Sequence, residues 1–129
     1  MGFAAVLASL RDFHAGWAWF VIVGNALAGA WALAAHRAPS LRRKSLWWFT
    51  AIVQFAIGGQ VVLGVIMVSA QDYEVRPQHL FYGVLAVIAA AILYSYRQQL
   101  RHRIFLLYGF GGLFMAGLGI RALMKATGS

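Results

Sequence analysis

The most prominent pattern in the chain is a set of four long apolar stretches separated by short polar connections. The stretches cover residues of about 15–35, 46–69, 79–96 and 104–123, and Arg121, near the end of the last one, is the only Asp, Glu, Lys or Arg within them. A helix needs about 20 apolar residues to cross a bilayer. Because backbone groups in lipid must bond within their own segment, each stretch is expected to be a helix.

The connections between these spans are short, which constrains how the helices are arranged. They cover roughly 36–45, 70–78 and 97–103. Short connections make consecutive helices antiparallel neighbours. The sequence therefore predicts an all-α fold: an integral membrane up-down bundle of four transmembrane helices, forming a single domain over residues 1–129. Residues 1–13 carry apolar positions at helical spacing, and either lie at the membrane interface or extend the first span.

Composition excludes a water-soluble protein. The 129 residues are 62% hydrophobic and only 11% charged, whereas soluble domains are about 25% charged. The chain contains no cysteine, which rules out disulfides, iron–sulfur clusters and covalent haem attachment. No carboxylate lies inside a span, and this disfavours an ion pump, because such proteins usually need one there.

The charges are strongly asymmetric and give an orientation. Of the 11 Lys and Arg residues, seven lie in the connections 36–45 and 97–103; four others and all three acidic residues lie on the opposite side. Basic connections stay in the cytoplasm. We therefore expect both termini outside, in what we take to be a bacterial plasma membrane. Since topology accounts for the net charge of +8, no nucleic-acid partner is predicted.

Two histidines are placed in a way that suggests a cofactor. His14 opens the first span and His79 opens the third, so an up-down bundle brings both to the outer face at similar depth. Each begins a helical stripe of small residues, including Gly83 after His79. Haem iron accepts imidazole ligands, and bundle interiors house such cofactors. We predict haem b with its iron on His14 and His79, beside Gly83; three arginines suited to the propionates lie nearby: Arg11, Arg76 and Arg121.

A reading without a cofactor explains the same residues. Small faces let membrane helices pack closely, and histidines at an interface can simply be polar residues in contact with water. His36 and His102 lie within basic connections, where topology accounts for them. A metal site formed by Asp72, Glu74 and the outer histidines matches no standard spacing.

A family resemblance agrees with the haem hypothesis. The stretch QFAIGGQVVLGVIMVSAQDYEVRPQHLFYGVLAVIAAAIL, together with RDFHAGW, resembles one half of haem A synthase, whose halves are themselves similar to four-helix membrane b-type cytochromes. The resemblance implies His14 and His79 as the paired ligands. This chain has one such unit, no cysteine pair, and only Asp12 in place of an acidic residue near the first ligand. It therefore implies a bundle that holds haem rather than a synthase.

Two functions from different classes follow from these observations. In the first, the chain is a small b-type cytochrome-like subunit that transfers electrons within a larger membrane complex, with the lipid bilayer, other membrane subunits and a quinone as candidate partners. In the second, it is a cofactor-free accessory or assembly subunit of an energy-transducing complex. A carrier for an uncharged or anionic solute is a third, weaker reading. The sequence does not decide whether the chain is an enzyme, and it favours a non-catalytic electron-transfer or accessory subunit over an independent enzyme.

Overall fold

The structure is a computed structural model that describes residues 2–71 and 76–126, and within them it contains helices and no strands. The helices are α1 (Phe3–Arg37), α2 (Lys44–Gln71), α3 (Pro77–Ser95) and α4 (Ile104–Ala126). All four are long and apolar enough to cross a membrane. The prediction of an all-α fold with four such helices is confirmed.

The first helix is longer than the predicted first span. It runs without a break for 35 residues, from Phe3 to Arg37, which corresponds to about 52 Å at the rise of an α-helix. The hydrocarbon core of a bilayer is about 30 Å thick. Residues 3–13 thus extend the helix rather than form a separate interfacial segment.

The helices form a ring with one open seam. α1 packs most extensively against α4 and also against α2, while α3 packs mainly against α4; α2 and α3 have much less contact, and α1 and α3 lie diagonally opposite. We call the end with the connections 38–43 and 96–103 the basic end. The other is the terminal end, where α1 begins and α4 finishes. Asp72 and Glu74, assigned from sequence to the side opposite the basic connections, lie outside the described residues.

The contact between α1 and α4 depends on three glycines. A Cβ atom placed on Gly112 would lie 2.9 Å from the backbone oxygen of Asn25 and 2.9 Å from Cα of Gly29. A Cβ on Gly29 would lie 2.7 Å from the backbone oxygen of Gly109. No side chain fits between two backbones this close, so glycine is required here. Small residues that permit such an approach are typical of helix pairs in membranes.

Side-chain hydrogen bonds to backbone carbonyls join α1 to α2. The indole Nε1 of Trp17 donates to the carbonyl of Ala56 at 3.0 Å, and Nδ2 of the buried Asn25 donates to the carbonyl of Val53 at 3.2 Å. Each such bond is worth about 0.6–2 kcal/mol in a membrane. Trp17 and Asn25 of α1 therefore connect this helix to α2.

The outer surface of the bundle is apolar. Large hydrophobic side chains face away from the interior on α2 and α4, with Phe55 83% exposed, Trp48 71% and Phe110 63%. Soluble monomers rarely expose contiguous apolar surface on this scale. An apolar outer surface of this kind is required of helices that are surrounded by lipid.

The close contact of α1 with α4 gives a testable consequence. Replacing Gly112 by Val should destabilise the bundle by about 3 kcal/mol or more, because overpacking against rigid backbone cannot be relieved by side-chain rotation. Thermal unfolding of the purified protein in mild detergent, followed by circular dichroism, measures the change. Gly117→Val is the matched control, because a Cβ at Gly117 meets nothing within 4 Å. Equal melting temperatures for the two variants would contradict the glycine contact.

Candidate functional site

The structure brings His14 and His79 together at the terminal end. The two imidazole rings belong to the diagonal helices α1 and α3, and their centroids are 6.3 Å apart with an angle of 76° between the ring planes. Both side chains are half-buried. Because α1 and α3 have no direct backbone contact, the two side chains meet across the interior of the bundle.

The orientation of the His79 ring is fixed by α4. Its Nδ1 lies 2.7 Å from the backbone carbonyl of Ala122. A carbonyl only accepts hydrogen bonds, so Nδ1 must carry the proton and donate it. In the neutral ring, Nε2 then retains its lone pair. This is the arrangement in which a histidine binds a metal through one nitrogen while the other is held by an outer partner.

His14 is held through its backbone while its ring remains available. Nε2 of Gln60 on α2 donates to the backbone carbonyl of His14 at 2.8 Å. Nδ1 of His14 and Oε1 of Gln60 are both buried and have no hydrogen-bond partner among the described residues. Buried polar atoms are nearly always paired. Two unpartnered polar atoms on residues that contact each other are expected where a further molecule or ion binds.

Glycines leave space around the two rings. A Cβ at Gly64 of α2 would come within 3.5 Å of Cε1 of His14, so this position brings the α2 backbone close to the imidazole. A Cβ at Gly83, one turn deeper on α3 than His79, would meet nothing within 4 Å. The site is therefore bordered by little side-chain volume on α2 and α3, the two helices of the open seam.

The three arginines chosen from sequence lie at the terminal end and are exposed. Arg11 precedes His14 by three residues on α1. Arg76 precedes His79 by the same interval and forms the N-terminal cap position of α3. The guanidinium carbon of Arg121 lies 5.6 Å from the ring centroid of Tyr82 on α3, a cation–π distance. All three arginines therefore lie at the same end of the bundle as the histidine pair.

An aromatic cluster covers the α1 side of the site. Trp17, one turn after His14, stacks on Phe13 with centroids 5.4 Å apart and contacts Phe20 at 4.8 Å. These rings cover a layer that would otherwise face lipid or water.

The other two histidines stand apart from this pair. His36 and His102 are exposed residues of the basic end. The backbone carbonyl of His36 accepts a hydrogen bond from Arg42 at 2.9 Å. Within residues 2–71 and 76–126, no group of three or more His, Asp or Glu side chains is arranged to hold a metal ion. The paired rings of His14 and His79 are the candidate ligand set.

Sequence reasoning did not assign three parts of the site: Gln60, Gly64 and the carbonyl of Ala122. Gln60 and Gly64 are four residues apart, so helical spacing places them on one face of α2. The run GGQVVLG contains both, and this spacing was the available signal. The Ala122 carbonyl has no sequence signature, because every residue carries a backbone carbonyl.

Comparisons with known proteins do not assign this chain to a family. No protein-family model, curated protein or solved structure matches it. Functional interpretation depends instead on the geometry of the histidine pair and its surroundings.

Proposed function

We propose that this protein is a small integral membrane b-type cytochrome-like subunit, which holds one haem between His14 and His79 and transfers electrons within a larger membrane complex. The observation that carries the proposal is the meeting of two imidazole rings from diagonal helices, 6.3 Å apart between centroids.

The spacing of the rings matches one metal ion between them. A first-row metal binds an imidazole nitrogen at about 2.0–2.1 Å, so two such bonds separate the ligand nitrogens by about 4 Å. Adding the distance from each nitrogen to its ring centre gives a centroid separation of about 6 Å. The separation in the structure is 6.3 Å, which supports binding of one metal ion by the two rings.

The donor set also fits haem iron. The bond from His79 to Ala122 leaves Nε2 as the free nitrogen, and the ring of His14 has an unpartnered Nδ1. Two neutral imidazoles are ligands that haem iron accepts readily. A Cβ at Gly83 would meet nothing within 4 Å, so α3 leaves room next to His79, and exposed Arg11, Arg76 and Arg121 suit carboxylates at the rim.

The protein's residues would orient the cofactor and leave substrate chemistry to a partner. Held by the imidazoles of His14 and His79, a haem would supply one-electron transfer rather than substrate binding. His14 and His79 would fix its depth, and the aromatic cluster around Trp17 would restrict water. Because the site residues lie at the terminal end, electrons would be exchanged with a quinol or a partner subunit at that face.

The proposed setting is a plasma membrane with the terminal end outside. Its support is the charge distribution along the bundle, because seven of the 11 Lys and Arg residues lie at the basic end and basic connections remain cytoplasmic. Bacterial origin belongs to the same proposal.

A cofactor-free accessory role is the second candidate, and α3 favours it. Ala86 is the one fully buried residue of Pro77–Ser95, a helix described throughout. Because the other helices of the chain cover little of α3, its apolar surface is available to helices of another subunit. In this case the histidine pair would be a hydrogen-bonding element between α1, α3 and α4.

An optical spectrum tests the choice between these functions. Protein purified in mild detergent from cells supplied with haem should show a Soret band, and dithionite reduction should give the sharp α and β bands of a six-coordinate b-type haem. A colourless protein that copurifies with larger subunits would overturn the haem proposal and support the accessory role.

Substitution of the ligands tests their assignment. His14→Ala and His79→Ala should each abolish the six-coordinate spectrum, because removal of one axial nitrogen leaves iron with an open position. His36→Ala is the matched control at the basic end and should keep the parental spectrum and haem content. Parental spectra for both site variants would show that the ligands lie elsewhere.

Gly64 tests whether space beside His14 matters. Gly64→Leu should reduce haem affinity by about 10–100-fold, the range seen when outer support of a metal ligand is lost, because the branched side chain would displace the imidazole ring. Gly58→Leu on the same helix is the control, since a Cβ at Gly58 meets nothing within 4 Å. Haem titration of the apoprotein measures both. Equal affinities would refute a steric role for Gly64.

A further inference from the structure

The open seam between α2 and α3 contains a cleft at the basic end, away from the histidines. It has a volume of about 780 Å³, within the range of about 300–1,000 Å³ typical of ligand sites. Gln54 on α2 belongs to its lining and is ten residues from Gly64, a separation of about 15 Å along the helix. The cleft is therefore a feature independent of the proposed haem site.

The wall of the cleft is apolar at depth and polar at its mouth. The part of its lining further from the basic end is formed by Ala51 of α2 and by Ala90 and Ala91 of α3, with the exposed Phe55 at its outer edge. The amide of Gln54 lies among them, half-buried, and makes no hydrogen bond with the described residues. An amphiphilic occupant would place its hydrocarbon against the alanines and offer a polar group to this amide.

Two arginines stand at the mouth. The guanidinium of Arg97 stacks over the ring of Tyr94 at 3.6 Å from the centroid, and its Nη1 donates to the Tyr94 carbonyl at 2.7 Å. This anchoring holds the group in place while its remaining N–H donors stay available. Arg101 also lines the mouth and is exposed. Within the described residues no carboxylate forms an ion pair with either, so both charges are available to an external anion.

We propose that this cleft binds one anionic phospholipid of the surrounding leaflet. Its phosphate lies between Arg97 and Arg101, and one acyl chain enters the open seam past Gln54. Charge decides the occupant: a neutral lipid or a quinone would fill the apolar part but would leave two arginines unpaired. Basic pockets between helices are the form in which membrane proteins recognise such headgroups.

Native mass spectrometry with defined lipids tests the proposal. Full-length protein in detergent should bind phosphatidylglycerol more tightly than phosphatidylcholine. The double variant Arg97→Gln/Arg101→Gln should weaken phosphatidylglycerol binding about 25-fold, since each cation near an anionic lipid surface contributes a factor of about five. The double variant Arg43→Gln/Arg103→Gln is the matched control, because it removes the same charge from the same end outside the cleft.

A second variant separates a lipid from a simple anion. Ala91→Phe fills the seam but keeps both arginines, so it should also weaken phosphatidylglycerol binding, while inorganic phosphate at millimolar concentration should not displace the lipid. Equal binding of the two lipids, equal behaviour of the two double variants, or displacement by inorganic phosphate would each overturn the proposal. Circular dichroism and thermal unfolding confirm that every variant tested is folded. Loss of haem would leave these results unchanged.

Discussion

The backbone contact between α1 and α4 is the constraint on which the rest of the bundle depends. Gly29, Gly109 and Gly112 allow the two helices to approach until backbone atoms meet. In lipid there is no hydrophobic drive between helices, so close packing of this kind has to supply the association. α1 then carries α2 on one side and α4 carries α3 on the other. α2 and α3 have little contact with each other, so the seam between them stays open.

This unequal ring accounts for both sites. At the terminal end, α1 and α3 face each other diagonally, and long side chains such as His14 and His79 bridge the interior between them. At the basic end, the same gap between α2 and α3 is lined by alanines and remains a cleft. A tightly closed ring would have had neither the interior space nor the lateral opening. One close contact thus determines where the bundle is rigid and where it can admit another molecule.

Much of the fold could be predicted from hydrophobic pattern, because a span is a property of some 20 consecutive residues. That His14 and His79 share one end of the bundle followed from topology, since the first and third helices of an up-down bundle run parallel; that their rings meet did not. The start of α1 could not be fixed, because the stripe containing Phe3 and Val6 suits an interfacial or a continuous helix equally. The roles of Gln60 and the Ala122 carbonyl depend on rotation of each helix about its axis. Glycine and alanine on several faces leave that rotation undetermined by sequence.

The length of α1 has a consequence for the stability of its histidine. Helix ends fray, because their outermost backbone groups lack partners and open locally at little cost. His79 lies two residues after Pro77, the first residue of α3, and its bond to Ala122 counters this by tying the exposed first turn to α4. His14 needs no such tie through its ring. Three further turns of α1 precede it. These turns would have to unfold before fraying of the helix end reaches His14. The two histidines are thus protected from the same fluctuation by different means.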